Sequence, residues 1–287
     1  MMKEKYDDLS ILCSKITTQF YSTSFSLGIR FLSKEVRPPI FSIYGFVRLA
    51  DEIVDSFHNY DKRYLLRKFE HDCFEAIEQK ISLNPILNSF QRTVNDYAID
   101  HELIRLFLKS MEMDLERSQY DSEAYGQYIL GSAQVVGLMC LQVFTGGNKA
   151  EYEKLKIPAM KLGSAFQKVN FLRDLKADYE SLGRTYFPGV DFDDFSEAEK
   201  TKIEHEIESD FNDAREGVLR LPARAKKGVS LAFAYYYRLF EKIKGLNVNV
   251  IRNNRVRVSD ARKFIIMIRI LLTPDSTNHF MLSNYEE

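Results

Sequence analysis

Between Ile40 and Val54 apolar side chains wrap almost the whole surface of a helix. Ile40, Phe41, Ile43, Phe46, Val47, Leu49, Ala50, Ile53 and Val54 recur at helical spacing, and Tyr44, Arg48, Asp51 and Asp55 fall at i, i+4, i+7 and i+11 as one narrow polar stripe. A helix apolar on nearly all sides is an interior helix, so that stripe must face an internal cavity. A second segment repeats the pattern. Gln167, Asn170, Asp174 and Asp178 share one stripe, flanked by Phe166, Val169, Phe171, Leu172 and Leu175. The chain is thereby confined to helices around a hollow, with two facing helices giving equivalent halves of one site.

Aspartates at i and i+4 stack on one helix face, where their carboxylates can hold the same ion. Left bare in a low-dielectric site they would raise each other's pKa, whereas a hard cation keeps both ionised. Magnesium, with manganese as substitute, suits an all-oxygen site completed by substrate phosphates. Arg173 and Lys176 adjoin the second stripe and Arg184 follows it; the planar arginine fork suits phosphate oxygens. A single D-x-x-x-D is more often a pair of solvated acids or a partner for a nearby base such as Arg48. That bland reading weakens here because only Arg48, Asp51, Glu52 and Asp55 are charged between residues 40 and 55, and because the pattern recurs.

Glycine (13) and proline (7) are sparse and strand-like alternation is scarce, which predicts an all-α chain: a single-domain helical bundle over residues 1–287 with a central cavity. Helices are expected near 5–20, 38–58, 61–82, 86–98, 101–118, 122–145, 150–180, 196–219, 223–245 and 257–273. Pro38 and Pro39 suit a helix start. Breaks are expected at Asn84-Pro85, Gly146-Gly147, Phe187-Pro188-Gly189, Gly245 and Pro274, with a loosely ordered tail over 275–287. No linker divides the chain, and no repeat of solenoid length occurs.

Charge excludes some functions. With 40 Lys+Arg against 41 Asp+Glu the net charge is -1, and the basic cluster from Arg252 to Arg262 is short, so no nucleic-acid partner is expected. Cys13, Cys73 and Cys140 are far apart with no C-x-x-C spacing, and the five histidines are scattered, so neither a disulfide framework nor a histidine metal centre is expected. The charged Met1–Asp8 start is unlike a signal peptide, and no run approaches the roughly 20 apolar residues of a membrane span. A cytoplasmic protein is expected, with room for peripheral contact at the inner membrane face. The oligomeric state is not legible.

Taken together, Tyr21-Ser22-Thr23-Ser24-Phe25-Ser26, Tyr44-x3-Arg48-x2-Asp51-Glu52-x2-Asp55, Tyr128-Ile129-Leu130-Gly131-Ser132-Ala133 with Gly137, Gln167-x2-Asn170-x2-Arg173-Asp174-x3-Asp178, Arg184-Thr185-Tyr186-Phe187-Pro188 and Arg255-Val256-Arg257-Val258-Ser259 make the chain resemble the squalene/phytoene synthase family, the head-to-head prenyl transferases. The resemblance covers nearly the whole chain. Leu130 stands where members often carry a second tyrosine, and Tyr21 where a serine or histidine is common.

The resemblance implies that Asp51, Asp55, Asp174 and Asp178, with Asn170, hold magnesium on the diphosphates of two prenyl donors. It implies that Arg48, Arg173, Arg184 and Arg255 meet diphosphate oxygens, with Tyr44 and Tyr186 as hydrogen-bond donors and Gln167 among the substrate-binding residues. Ser24 and Phe25 would line the cavity where the first donor ionises, and the small residues Gly131, Ser132, Ala133 and Gly137 either make room for a prenyl tail or pack helices tightly. Ionising an allylic diphosphate calls for charge stabilisation on the leaving group and a dry, aromatic wall for the carbocation. The Asp-Glu-x-x-Asp form of the first motif and the Arg-Val-Arg-Val-Ser segment look more like phytoene synthases than squalene synthases. The expectation is therefore two geranylgeranyl diphosphates condensed to phytoene without NADPH. The runner-up is a squalene or dehydrosqualene synthase acting on farnesyl diphosphate; from another class, a non-catalytic helical assembly factor.

Overall fold

Side-chain caps set where most helices begin. Asp61, Asn84, Asp100, Asp121, Asn148, Ser196 and Asn247 each accept a hydrogen bond from a first-turn backbone N–H, which satisfies donors that no helix can satisfy itself. The computed structural model describes residues 2–259 and 265–268. Among them twelve α-helices follow in order: α1 (Met2–Tyr21), α2 (Thr23–Arg30), α3 (Arg37–Ser56), α4 (Lys62–Gln79), α5 (Pro85–Tyr97), α6 (His101–Glu116), α7 (Ser122–Ile129), α8 (Val135–Thr145), α9 (Lys149–Leu182), α10 (Glu197–Arg220), α11 (Ala223–Lys244) and α12 (Val248–Asn253). A π-helical turn, Leu130–Gln134, joins α7 to α8. The described residues hold no strand, only an isolated parallel bridge between Gln119 and Thr185. There the Thr185 N–H donates to the Ser118 carbonyl at 2.9 Å, clipping the segment after α9 to the end of α6.

Two clusters of buried apolar residues flank a hollow. The first centres on α3, where Phe46 stacks on Phe90 of α5 with ring centroids 4.0 Å apart and touches Phe69 and Phe107. The second joins α7 and α9 to α12 around Phe211, Phe233 and Phe240. α9 and α10 are also pinned by polar contacts: buried Asp210 accepts from Lys168 Nζ at 2.8 Å, Lys161 Nζ at 2.9 Å and Ser164 Oγ at 2.6 Å. Pro158 inside α9 is accommodated because Gly217 of α10 faces it; a Cβ there would stand 2.1 Å from the proline Cβ.

α1 inverts the usual pattern. Its inward face is polar, with Asp7, Ser10, Ser14 and Thr18 buried against α3 and α5. Asn88 of α5 donates to Asp7 and Ser10, both at 3.0 Å, and the Ser14 and Ser89 hydroxyls meet at 2.6 Å. Leu9, Leu12, Ile16 and Phe20 face outward, Phe20 being 81% exposed.

The structure corrects the sequence reading in several places. Residues 23–30 form α2, which was not expected, with Ser22 as its cap accepting from the Phe25 N–H at 3.2 Å. α12 was also not expected. The rod over 122–145 is interrupted by the π turn. Its hydropathy does reach that of a membrane span, so an apolar run long enough to cross a bilayer exists after all, but most of it is buried between α6 and α9. The expected helix at 257–273 falls largely outside the described residues; residues 255–259 are irregular and 265–268 helical. The break at Pro274 and the tail over 275–287 lie outside them too. The three cysteines are free.

Candidate active site

α3 and α9 lie on opposite walls of one cavity of about 1100 Å³. Asp51, Asp55, Tyr44 and Arg48 reach it from α3, and Gln167, Asn170, Arg173, Asp174 and Asp178 from α9. Ser24 and Phe25 reach it from α2, and Tyr186 and Arg255 from the segments after α9 and α12. Of the expected metal, diphosphate and cavity-lining residues, Arg184 and the small Gly131 do not line the hollow, nor does Lys176 beside the second stripe. That arginine sits behind the wall, 6% exposed, where its Nη1 donates to Asp55 at 2.8 Å and stands 3.7 Å from Asp114.

Arginines already engage three of the four motif acids. Arg48 forks between Asp51 and Glu52, and its guanidinium lies 4.2 Å from the centroid of the Tyr21 ring. Arg173 bonds its neighbour Asp174 through Nε at 3.0 Å, and Arg255 reaches the same carboxylate at 2.7 Å from across the chain. Asp55 is held by Arg184.

The acids nevertheless repel one another. Burial, then the neighbouring Asp174 and the facing Asp55, push the Asp178 carboxyl up to about 8. Asp51 is likewise raised by burial and by Asp55, with Arg48 opposing. That Asp55 of α3 acts on Asp178 of α9 shows the two pairs converging on one place. Among the described residues no three His, Cys, Asp or Glu side chains stand close enough to chelate an ion unaided. The donor set still fits a hard divalent cation shared with a bound anion: all its atoms are oxygens, burial and neighbouring carboxylates raise Asp51 and Asp178, and the buried Asn170 Oδ1 has no hydrogen-bond partner.

Away from the acids the walls are aromatic and aliphatic. Phe25 stacks on Tyr44 at 5.0 Å, Phe166 on Tyr236 at 4.0 Å and Phe171 on Tyr186 at 4.1 Å. Burial pushes the Tyr44 phenol up to about 12, so it stays a neutral donor. Phe166 and Phe171 line the cavity beside Phe25, whereas Phe20 points to the outside. Ser132, Ala133 and Gly137 line the hollow as well, and a Cβ on Gly137 would come within 3.0 Å of the Ala159 carbonyl, so small size there serves both cavity and helix packing.

Sequence reasoning missed Asp114. This buried carboxylate of α6 lines the cavity and accepts from Tyr120 and Tyr128, each at 2.7 Å, and from Tyr186 at 3.3 Å. Tyr186, expected to face a diphosphate, instead gives its hydroxyl proton to Asp114. The signal was present: Ile104, Phe107, Met111 and Asp114 are spaced as one stripe, and an acid on an apolar stripe is a marked residue, but Glu112 and Glu116 beside it made the stretch look like solvated surface.

Comparison with known proteins agrees with this geometry. Residues 18–262 match the family model described as squalene/phytoene synthase. The curated relatives include 15-cis-phytoene synthase of Synechocystis sp., 28% identical over 89% of this chain and 82% of its own, and chloroplastic phytoene synthase 1 of Solanum lycopersicum, 26% identical over 93% and 68%. Among solved structures, a dehydrosqualene synthase in complex with ligand superposes with a TM-score of 0.79 at 20% identity, covering 93% of this chain and 97% of that one. Squalene synthase HpnC from Alicyclobacillus acidocaldarius gives 0.72 at 20% identity over 82% and 93%. The fold is that of the isoprenoid synthases.

Proposed function

The chain belongs to the squalene/phytoene synthase family, and from that premise we propose that it condenses two geranylgeranyl diphosphates head to head into phytoene, through a cyclopropyl (prephytoene) diphosphate, in carotenoid biosynthesis. The observation that carries this reading is the convergence of Asp51, Asp55, Asp174, Asp178 and Asn170 on one cavity whose remaining wall is aromatic and aliphatic. Phytoene synthases among the curated relatives support the C20 donor over the C15 one.

Asp51, Asp55, Asn170, Asp174 and Asp178 would hold magnesium, which supplies positive charge to the departing diphosphate. Arg48, Arg173 and Arg255 stand at the same end of the cavity and exchange their carboxylate partners for diphosphate oxygens, with Arg184 steadying Asp55 from behind. Tyr44, Ser24 and Gln167 supply neutral donors beside them. Ionisation breaks the C1–oxygen bond of one donor and releases diphosphate; C1 then bonds to C2 of the other donor, leaving the cation at C3, and loss of a proton from C1 closes the cyclopropane ring. Phe25, Phe166, Phe171 and Tyr186 keep water away and offer electron-rich faces to the cation. After the second ionisation and rearrangement a proton is lost, so no NADPH is required.

The chain acts in this reading as one α-helical domain, since α2, α3, α6, α8, α9 and α11 all contribute to the same walls. It meets a lipid surface only peripherally, from the cytoplasmic side; the outward apolar stripe of α1 leads to Tyr21, which lines the cavity and offers a path for an insoluble product. The test is purified chain supplied with farnesyl or geranylgeranyl diphosphate and magnesium, with and without NADPH. A C40 hydrocarbon formed without NADPH is expected. A C30 main product selects the squalene or dehydrosqualene alternative, and no diphosphate release from either donor selects a non-catalytic assembly factor.

A further inference from the structure

Asp114 does more than fill a wall. Three phenolic hydroxyls from three different segments, Tyr120 after α6, Tyr128 on α7 and Tyr186 after α9, all turn their protons toward this one carboxylate, at 2.7, 2.7 and 3.3 Å. The rings interlock as a consequence: Tyr128 and Tyr186 lie 5.0 Å apart, Tyr120 and Tyr186 5.3 Å, and Tyr186 stacks on Phe171 of α9. The same carboxylate stands 3.7 Å from Arg184, whose Nη1 continues to Asp55 and also donates to the Tyr186 hydroxyl at 3.3 Å. Asp114 is itself 8% exposed, so nothing in bulk water could replace it as the shared acceptor.

We propose that Asp114 is the positioning residue of the reaction site, fixing both Arg184 behind the first aspartate pair and the tyrosine wall against which the carbocation forms. The inference rests on the prenyl-condensation reading for its kinetic consequence and on geometry alone for its structural one. With their protons committed to Asp114, and the Tyr186 oxygen also accepting from Arg184, the hydroxyls of Tyr128 and Tyr186 are fixed in place, and the ring faces cannot turn edge-on to the cavity. A carboxylate is required because it alone accepts from three hydroxyls and balances the guanidinium; an asparagine would point an N–H pair at one of its present donors.

The test uses the full chain carrying Asp114→Asn, Asp114→Glu, Tyr128→Phe or Asp114→Asn with Tyr128→Phe. For Asp114→Asn the far-UV spectrum should stay helical while the near-UV tyrosine band weakens. The kcat for diphosphate release should fall roughly 100-fold, as misplaced reacting groups do, with KM changed by less than about threefold. The double variant should be no slower than Asp114→Asn alone, because both remove one unit. Asp114→Glu should recover part of the band and of kcat. A near-UV band in Asp114→Asn equal to that of the wild type, or losses that multiply in the double variant, would overturn the proposal. Should Asp114→Asn not fold, Tyr128→Phe and Tyr186→Phe decide: additive losses in kcat overturn it and non-additive ones support it. A wild-type chain that releases no diphosphate sinks the functional reading instead, and the near-UV comparison then still decides for or against Asp114.

Discussion

α3 and α9 bring the same acidic spacing to one cavity from opposite kinds of support. α3 is sheathed in core: Ile40, Ile43, Phe46, Ala50 and Val54 are each at most 2% exposed, and its stripe is the sole polar feature it turns to the hollow. α9 is longer, 34 residues, and its sides meet different partners along its length, with α8, α10, α11 and α12 packing at successive turns and Lys168 tied to Asp210 at the back. On α3 Asp51 pairs with Arg48 of its own helix yet stays raised by burial and Asp55, and Asp55 takes Arg184 from the segment after α9; on α9 Asp174 takes Arg173 beside it and Arg255 from far along the chain, and Asp178 is raised furthest, to about 8. The first half of the site is rigid, backed by one continuous core. The second is assembled from several segments and carries more of the unbalanced charge.

The comparison breaks most sharply at the acids themselves. Asp51→Asn and Asp174→Asn should each cut turnover by roughly 1000-fold, about 4 kcal/mol of transition-state stabilisation, with helical content unchanged. Steady-state diphosphate release beside far-UV spectra checks this, and near-normal turnover in either variant would remove that helix from the site. Next come the supports: Phe46→Ala should destabilise the fold by about 3–5 kcal/mol, as loss of a buried, stacked ring does, measured by urea unfolding. A cost under about 1 kcal/mol would show that α3 is not the rigid half.

A smaller effect concerns the unbalanced charge. Asp178 has its folded pKa raised above the ordinary 3.8, so the protonated form favours folding and stability should fall as pH rises from about 4 through about 8. Asp178→Asn should flatten that fall and gain roughly 2 kcal/mol at pH 8 after allowing for solvent in the cavity, read as melting temperature against pH. Magnesium with inorganic diphosphate should flatten it in the wild type. The smallest effect separates the helix starts: α9 is capped by Asn148, which accepts from the Ala150 and Glu151 N–H groups, and Asn148→Ala should cost about 1 kcal/mol. α3 starts on Pro38 and Pro39 with no side-chain cap, so Val36→Ala should cost only what its own burial contributes.

The contrast also explains what could be read from the chain. α3 announced itself because nearly every residue around its stripe is apolar, and that pattern has one structural solution. α9 was expected over 150–180 and runs over Lys149–Leu182, but only near its acids could the cavity-facing side be read, since a helix whose partners change along its length shows no single apolar face. The eight-residue α2 was hidden by Ser22, Thr23, Ser24 and Ser26, which read as loop although Ser22 is its cap. Arg255 was found by resemblance alone, because nothing local in Arg255-Val256-Arg257-Val258-Ser259 says that its arginine folds back on Asp174. Asp114 was overlooked because burial is a tertiary property and its sequence neighbours are ordinary surface acids.

The π turn at Leu130–Gln134 holds one residue more than an α-helix would in the same rise, and so it advances the downstream rod by about 100° relative to the upstream one. Tyr128 before it, Ser132 within it and Val136, Gly137 and Cys140 after it line the cavity across that offset. Deleting any single residue there would restore ordinary α phase and swing one set of side chains off the wall while leaving both helices intact. This stretch of the chain therefore works as a key cut to a single length, in which a change of count does what no change of side chain could.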